Sequence, residues 1–196
     1  MRKIFFNSVE LLFLVSCKPK EPVEVKQLTS KEMVTILPNL KGDSIPICLP
    51  IEFEMTINSS KVGYITWNYY VNNNKNSLND FFDYHLYDKQ NKIKPIHRLT
   101  LEEFGLSPDK SIKIILKERS HLISKKEAQE LLKKYNINKS LENLKVRDTI
   151  KLVAYDKFRI ENKEIINGFN KISDSISFKV MRGEEKFFYL DKKIDW

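Results

Sequence analysis

Between positions 64 and 87 the chain gathers residue types that recognise sugars or peptides: Tyr64, Asn68 and Tyr70 on one alternating set, then Asp83, His85 and Tyr87 on another. Alternate residues of a strand share a face. If the strands around Tyr70 and Phe81 pair, one surface displays all six. Rings would then stack on apolar faces while amide, acid and imidazole groups fix orientation. The competing reading is that Tyr is simply a good strand residue, and the nine-residue connection Asn72–Asp80 favours it. Asp83 and His85 would also share a face as two metal ligands do, but a site needs three or four. No further ligand can be named, so neither a metal nor a cofactor is expected.

Hydrolytic chemistry has less to draw on. There are three histidines, His85, His97 and His121, and five glycines. Ser120 and His121 are sequence neighbours on alternate faces of a strand end, which does not make a nucleophile–base pair. Neither G-x-S-x-G, H-E-x-x-H nor a phosphate-binding glycine loop is present. Carboxylate pairs such as Glu52/Glu54, Glu102/Glu103 and Glu184/Glu185 read as solvated faces, and no glycosidase pair stands out among them. No catalytic residue is assigned.

The elements that must position these groups follow a period of two. Leu49, Ile51, Phe53, Met55 and Ile57 alternate with Pro50, Glu52, Glu54 and Thr56, the pattern of a half-buried strand. Ile65, Trp67, Tyr69 and Val71 form the apolar side of the next strand. Further strands are predicted over 81–88, 92–99, 111–119, 149–160, 175–181 and 186–190. One helix interrupts them: Ser124-Lys-Lys-Glu127 is a capping box, and Ala128, Leu131, Leu132 and Tyr135 form an apolar stripe at helical spacing. Lys125, Lys126, Lys133 and Lys134 read as its solvated face. The expected fold is mainly β, an immunoglobulin-like or related antiparallel β-sandwich with one inserted helix near 124–136.

Composition sets outer limits. The chain has 196 residues, 41% of them hydrophobic and 11% aromatic, enough for a real core. Its net charge of +8 could suggest nucleic acid, yet 28 of the 34 basic residues are Lys, interspersed with acids and without an arginine-rich patch. That pattern argues against a nucleic-acid partner.

The amino terminus carries the most specific signal. Arg2 and Lys3 precede an apolar run, Ile4–Val15, interrupted by Asn7 and Glu10, and the run ends in Leu14-Val15-Ser16-Cys17. Twelve residues reach roughly 18 Å as a helix, short of the ~20 residues a membrane span needs. The tetrad resembles the lipobox of bacterial lipoproteins. The resemblance covers less than a tenth of the chain and implies cleavage before Cys17, with lipid on that cysteine.

It further implies a signal peptide over 1–16, a lipidated tether over 17–30 with Pro19 and Pro22, and one β-rich domain over 31–196. Cleavage removes Arg2, Lys3 and Glu10 and leaves a charge of +7. Cys48 is then the only other thiol, and in Ile47-Cys48-Leu49-Pro50 it reads as a buried, inert cysteine. The expected location is the bacterial cell envelope, in the outer membrane on its periplasmic or surface face. The expected partners are the membrane, through the lipid, and an envelope protein or glycan. Three functions stand open: a binding or assembly-accessory module, an envelope hydrolase acting on polysaccharide or peptide, and an immunity- or inhibitor-like lipoprotein.

Overall fold

Among the described residues, alternation of apolar and polar residues is realised as thirteen strands, and three short helices fill two of their connections. The computed structural model describes residues 20–37, 43–76, 84–92, 94–142, 144–145, 148–183 and 186–196. In chain order the first strands are β1 (Val23–Leu28), β2 (Met33–Ile36), β3 (Ser44–Cys48), β4 (Ile51–Ile57), β5 (Val62–Val71) and β6 (Asn74–Lys75). There follow β7 (Tyr84–Asp88), β8 (Leu99–Thr100), β9 (Lys110–Glu118), β10 (Leu122–Ser124) and α1 (Lys125–Lys134). The last elements are β11 (Ile150–Ala154), α2 (Tyr155–Glu161), α3 (Lys163–Asn170), β12 (Ser175–Arg182) and β13 (Lys186–Lys193).

Two antiparallel sheets make the sandwich. One has the order β1-β4-β9-β7; the other runs β13-β12-β5-β6, with β8 also on β5. Their inner faces meet through aromatic contacts. Phe53 on β4 meets Phe178 on β12 edge-on at 5.8 Å, and Tyr69 on β5 meets Tyr84 on β7 at 5.4 Å. Such pairs add about 0.5–1.5 kcal/mol beyond the area they bury. A third, smaller sheet, β10-β3-β2-β11, extends the structure, and one continuous apolar core includes residues of all three.

The expected mainly β architecture and the helix near 124–136 are both present. Ser124 Oγ accepts from Glu127 N at 3.1 Å while the Glu127 carboxylate accepts from Ser124 N at 2.7 Å, closing the capping box. Ala128, Leu131 and Leu132 are buried as the stripe requires.

Four expectations need correction. Residues 23–28 are not part of a free tether: β1 pairs with β4 and buries Val23 and Val25. Positions 94–98 form no strand beyond a single bridge from Ile96 to Leu86. The strand predicted over 149–160 stops at Ala154, where α2 begins, because Tyr155 and Phe158 are buried three positions apart while Ile160 points outward. The Asn run after β5 is not simply a loop. Asn72 and Asn73, at φ of 48° and 63°, form a tight two-residue turn into β6, a backbone that Asn tolerates better than other side-chain-bearing residues. Cys17 and the rest of the lipobox lie outside the described residues, as does Asp83.

Candidate functional site

The five described residues of the six singled out in the sequence do not share a surface. Tyr64, Asn68 and Tyr70 lie on β5 opposite the buried Ile65, Trp67 and Tyr69, so they face outward from their sheet. His85 and Tyr87 lie on β7 opposite the buried Tyr84 and Leu86, and face outward from the other sheet. The two groups stand back to back, with the Tyr69–Tyr84 contact between them. The condition for a joint face was pairing between these strands. Instead β5 takes β12 on one side and β6 and β8 on the other, whereas β7 pairs with β9. His85 approaches the Tyr87 ring at 6.0 Å, and Lys117 Nζ sits 5.2 Å from that ring.

The β5 group gains companions that sequence reasoning missed. Register places Tyr70 beside Ser175, Asn68 beside Ser177 and Thr66 beside Lys179 on β12. On the far side of β12, Lys179 stands against Tyr189 and Met181 against Phe187. Phe187 is 41% exposed and Tyr189 58% exposed. Lys179 Nζ lies over the Phe187 ring at 3.9 Å, a cation–π contact worth about 0.5–1 kcal/mol at an exposed site. The result is a three-strand platform of rings interspersed with an amide, hydroxyls and the Lys179 ammonium, with Asp191 and Lys193 at the far end of β13. Alternation in Lys186-Phe-Phe-Tyr-Leu-Asp191 is masked by consecutive apolar residues. Only the pairing with β12 tells which rings point outward.

The converging titratable groups of the molecule lie inside it. Glu118 ends β9 on the inward set that begins Ile112–Ile114–Leu116, His121 follows in the short link to β10, and Asp174 immediately precedes β12. His121 Nδ1 is 2.9 Å from Glu118 Oε1, and Nε2 is 2.9 Å from Asp174 Oδ2. The ring N–H bonds are not well aimed along these vectors, so the contacts act as charge pairs first. All three side chains are sealed from solvent. The surplus carboxylate charge is met by donors: Ser120 N to Glu118 Oε2 at 2.6 Å, Trp196 Nε1 to Asp174 Oδ2 at 3.0 Å and Asn72 N to Asp174 Oδ1 at 3.2 Å. Phe169 and Trp196 close on the imidazole edge-on, each at 4.5 Å.

Burial lowers the pKa of His121, but Asp174 and Glu118 outweigh it and raise the value to about 9. The neighbouring Tyr69 phenol is pushed far up, by burial first and then by the same two carboxylates. Cys48 is buried as expected, and its thiol is pushed up to about 12, chiefly by desolvation. It is therefore a poor nucleophile.

This arrangement holds a charge in the interior, out of reach of solvent. Both nitrogens of His121 are engaged and no solvent reaches them. Its two carboxylates sit on opposite sides of the ring and share no focus for a cation, and no group of three or more potential metal ligands is found among the described residues. His97 is exposed and His85 lies on the outer face of β7, so the three histidines do not gather in one concavity. No helix among the described residues is long and apolar enough to cross a membrane.

A third feature is a groove of about 750 Å³ between α1 and the α2–α3 corner. Asn162 holds that corner to α1: its side-chain amide donates to Tyr135 Oη at 2.7 Å and to the Phe158 carbonyl at 3.0 Å, and accepts from Lys134 Nζ at 2.8 Å. No protein-family model, curated protein or solved structure matches the chain.

Proposed function

We propose that the chain is a lipid-anchored lipoprotein of the bacterial cell envelope that works by binding, with the outer face of β5, β12 and β13 as its contact surface. The observation that carries this reading is the outward-facing aromatic platform, with the half-buried Tyr64 and Tyr70 on β5 around Asn68 and the exposed Phe187 and Tyr189 on β13. Flat arrays of rings with a few polar groups stack on sugar faces or on extended peptide, and they supply no acid–base chemistry. The sealing of Glu118, His121 and Asp174 supports a binding role over hydrolysis. The Leu14-Val15-Ser16-Cys17 tetrad supports the anchor.

Two measurements test the two halves of the proposal. Mass analysis of the membrane fraction should find a species that begins at a lipidated Cys17; one beginning at Met1 with a free thiol removes the anchor. Sedimentation of the full chain with isolated cell-wall polysaccharide and with envelope protein should show retention on one of them. The Tyr64→Ala/Tyr70→Ala/Tyr189→Ala variant should lose at least about tenfold in that affinity, on the order of 1.4 kcal/mol. Unchanged retention by a folded variant refutes the platform.

A further inference from the structure

The groove between α1 and the α2–α3 corner has the apolar and charged pattern of a peptide-docking site. Leu131 and Phe169 form buried parts of its wall. Leu122 and Ile160, which also line it, are 53% and 70% exposed, the largest such values among the exposed apolar residues on the helical side. Neither is explained by the core. Leu122 sits on the solvent side of a three-residue strand, and Ile160 faces away from the buried Tyr155–Phe158 side of α2. Solitary exposed apolar residues need no explanation, but two flanking one concavity mark a contact surface.

The charge of the rim is opposite to that of the molecule. Glu127, Glu130, Glu161 and Glu164 stand around the groove against Lys134 and Lys163, in a chain of net charge +8. Lys134 is already committed, donating to the Glu161 carbonyl at 2.7 Å and to Asn162. Glu127 is engaged in the capping box, but the other three acids are only loosely answered. Glu130 has Lys126 at 3.9 Å, Glu161 has Lys157 at 3.7 Å, and Glu164 has no ion-pair partner within 4.0 Å among the described residues.

We propose that this groove receives a cationic amphipathic segment of a protein partner, its apolar side against Leu122, Ile160 and Phe169 and its Lys or Arg side chains on the glutamate rim. An amphipathic helix presents anchors at three- and four-residue spacing, which suits an apolar trough with charged shoulders. Long-range charge works against a merely adventitious match. A chain of +8 repels cationic peptides in general, so binding one requires the local field of the rim. The site is independent of the aromatic platform, which lies on the β5–β12–β13 face.

The test uses the full chain and two labelled peptides of identical amphipathic pattern, one Leu/Lys and one Leu/Glu, followed by fluorescence anisotropy. The Leu/Lys peptide should bind at least about tenfold more tightly, and its affinity should fall as salt rises. Ile160→Asp should abolish that binding, and Glu130→Lys/Glu164→Lys should weaken it about tenfold or more, whereas Tyr189→Ala on the other face should leave it intact. All the substituted side chains are exposed, so circular dichroism should show the fold retained. Equal binding of both peptides, or binding indifferent to Ile160→Asp in a folded variant, overturns the proposal. So does a self-dimer that Ile160→Asp dissolves, because the occupant is then a second copy of this chain.

Discussion

The interior of this protein holds charge and its surface holds rings. Glu118, His121 and Asp174 are sealed inside, each with partners at 2.6–3.2 Å; Phe187, Tyr189, Leu122 and Ile160 are held in solvent. The buried cluster is charge-paired within the chain and closed to solvent. The exposed apolar groups are left in solvent by the described residues, which is what suits them to the contacts proposed above. Burial and exposure of the wrong residue types therefore separate what the molecule needs to stand up from what it offers to others.

The largest effect should come from inside. His121→Ala removes the only cation between two buried carboxylates and should cost about 3–5 kcal/mol in urea denaturation, the usual penalty for an orphaned buried charge. Adding Glu118→Gln and Asp174→Asn to that variant should recover part of the loss. A cost below about 1 kcal/mol would mean that the interior charges are not paired as described.

Alkali should break the same cluster without mutation. The folded-state pKa of His121, about 9, lies above its ordinary value of 6.5. The pair thus contributes fully below pH 6.5, weakens as pH rises, and is lost once pH passes about 9. That contribution is about 3 kcal/mol. Melting temperature should fall between pH 7 and 9.5 in the native chain, and a flat profile there would contradict the assignment. The Glu118→Gln/His121→Ala/Asp174→Asn variant should lack the fall.

An intermediate case lies on the outer side of the first sheet. Glu52 is buried on β4 and accepts from Lys89 Nζ at 2.6 and 2.7 Å, while the lysine remains a third exposed. Lys89→Met should cost about 2 kcal/mol by chemical denaturation, less than His121→Ala because solvent still reaches that side. The smallest effect belongs to the platform. Tyr189→Ala should shift stability by no more than about 0.5 kcal/mol. A large destabilisation would turn that ring from an offered surface into a structural one.

Legibility in the sequence follows the same division. The alternation Ile51–Phe53–Met55–Ile57 and the Ser124–Glu127 box are local patterns, and both are realised where they stand. Residues 150–160 satisfied two periods at once: Ile150, Leu152, Phe158 and Ile160 alternate, yet Tyr155 and Phe158 also fit one side of a helix. Burial of the Tyr155–Phe158 pair decides the matter, and that depends on neighbours far away in the chain. The six-residue surface failed for a related reason. Alternation gives each strand its two sides but not its partner, so it cannot tell that β5 and β7 belong to opposite sheets. The charged cluster left one readable trace, a glutamate at 118 on the apolar side of a clean strand. Nothing local pointed to Asp174.

The hydrogen bonds between Gln27 and Asp195, from Nε2 to the carbonyl at 2.6 Å and from the amide to Oε1 at 3.1 Å, join positions 168 apart. Read as a matter of folding order, this is a late closure. Strand β4 can meet β9 once the chain has emerged as far as Glu118, but β5 must wait for β12, with Tyr70 opposite Ser175. Connections that long are slow to close. Until then the edge of β5 that pairs with β12, from Val62 to Tyr70, stands without its partner strand. Newly made chains should be most prone to aggregate in that interval, and the platform should be among the last surfaces to form.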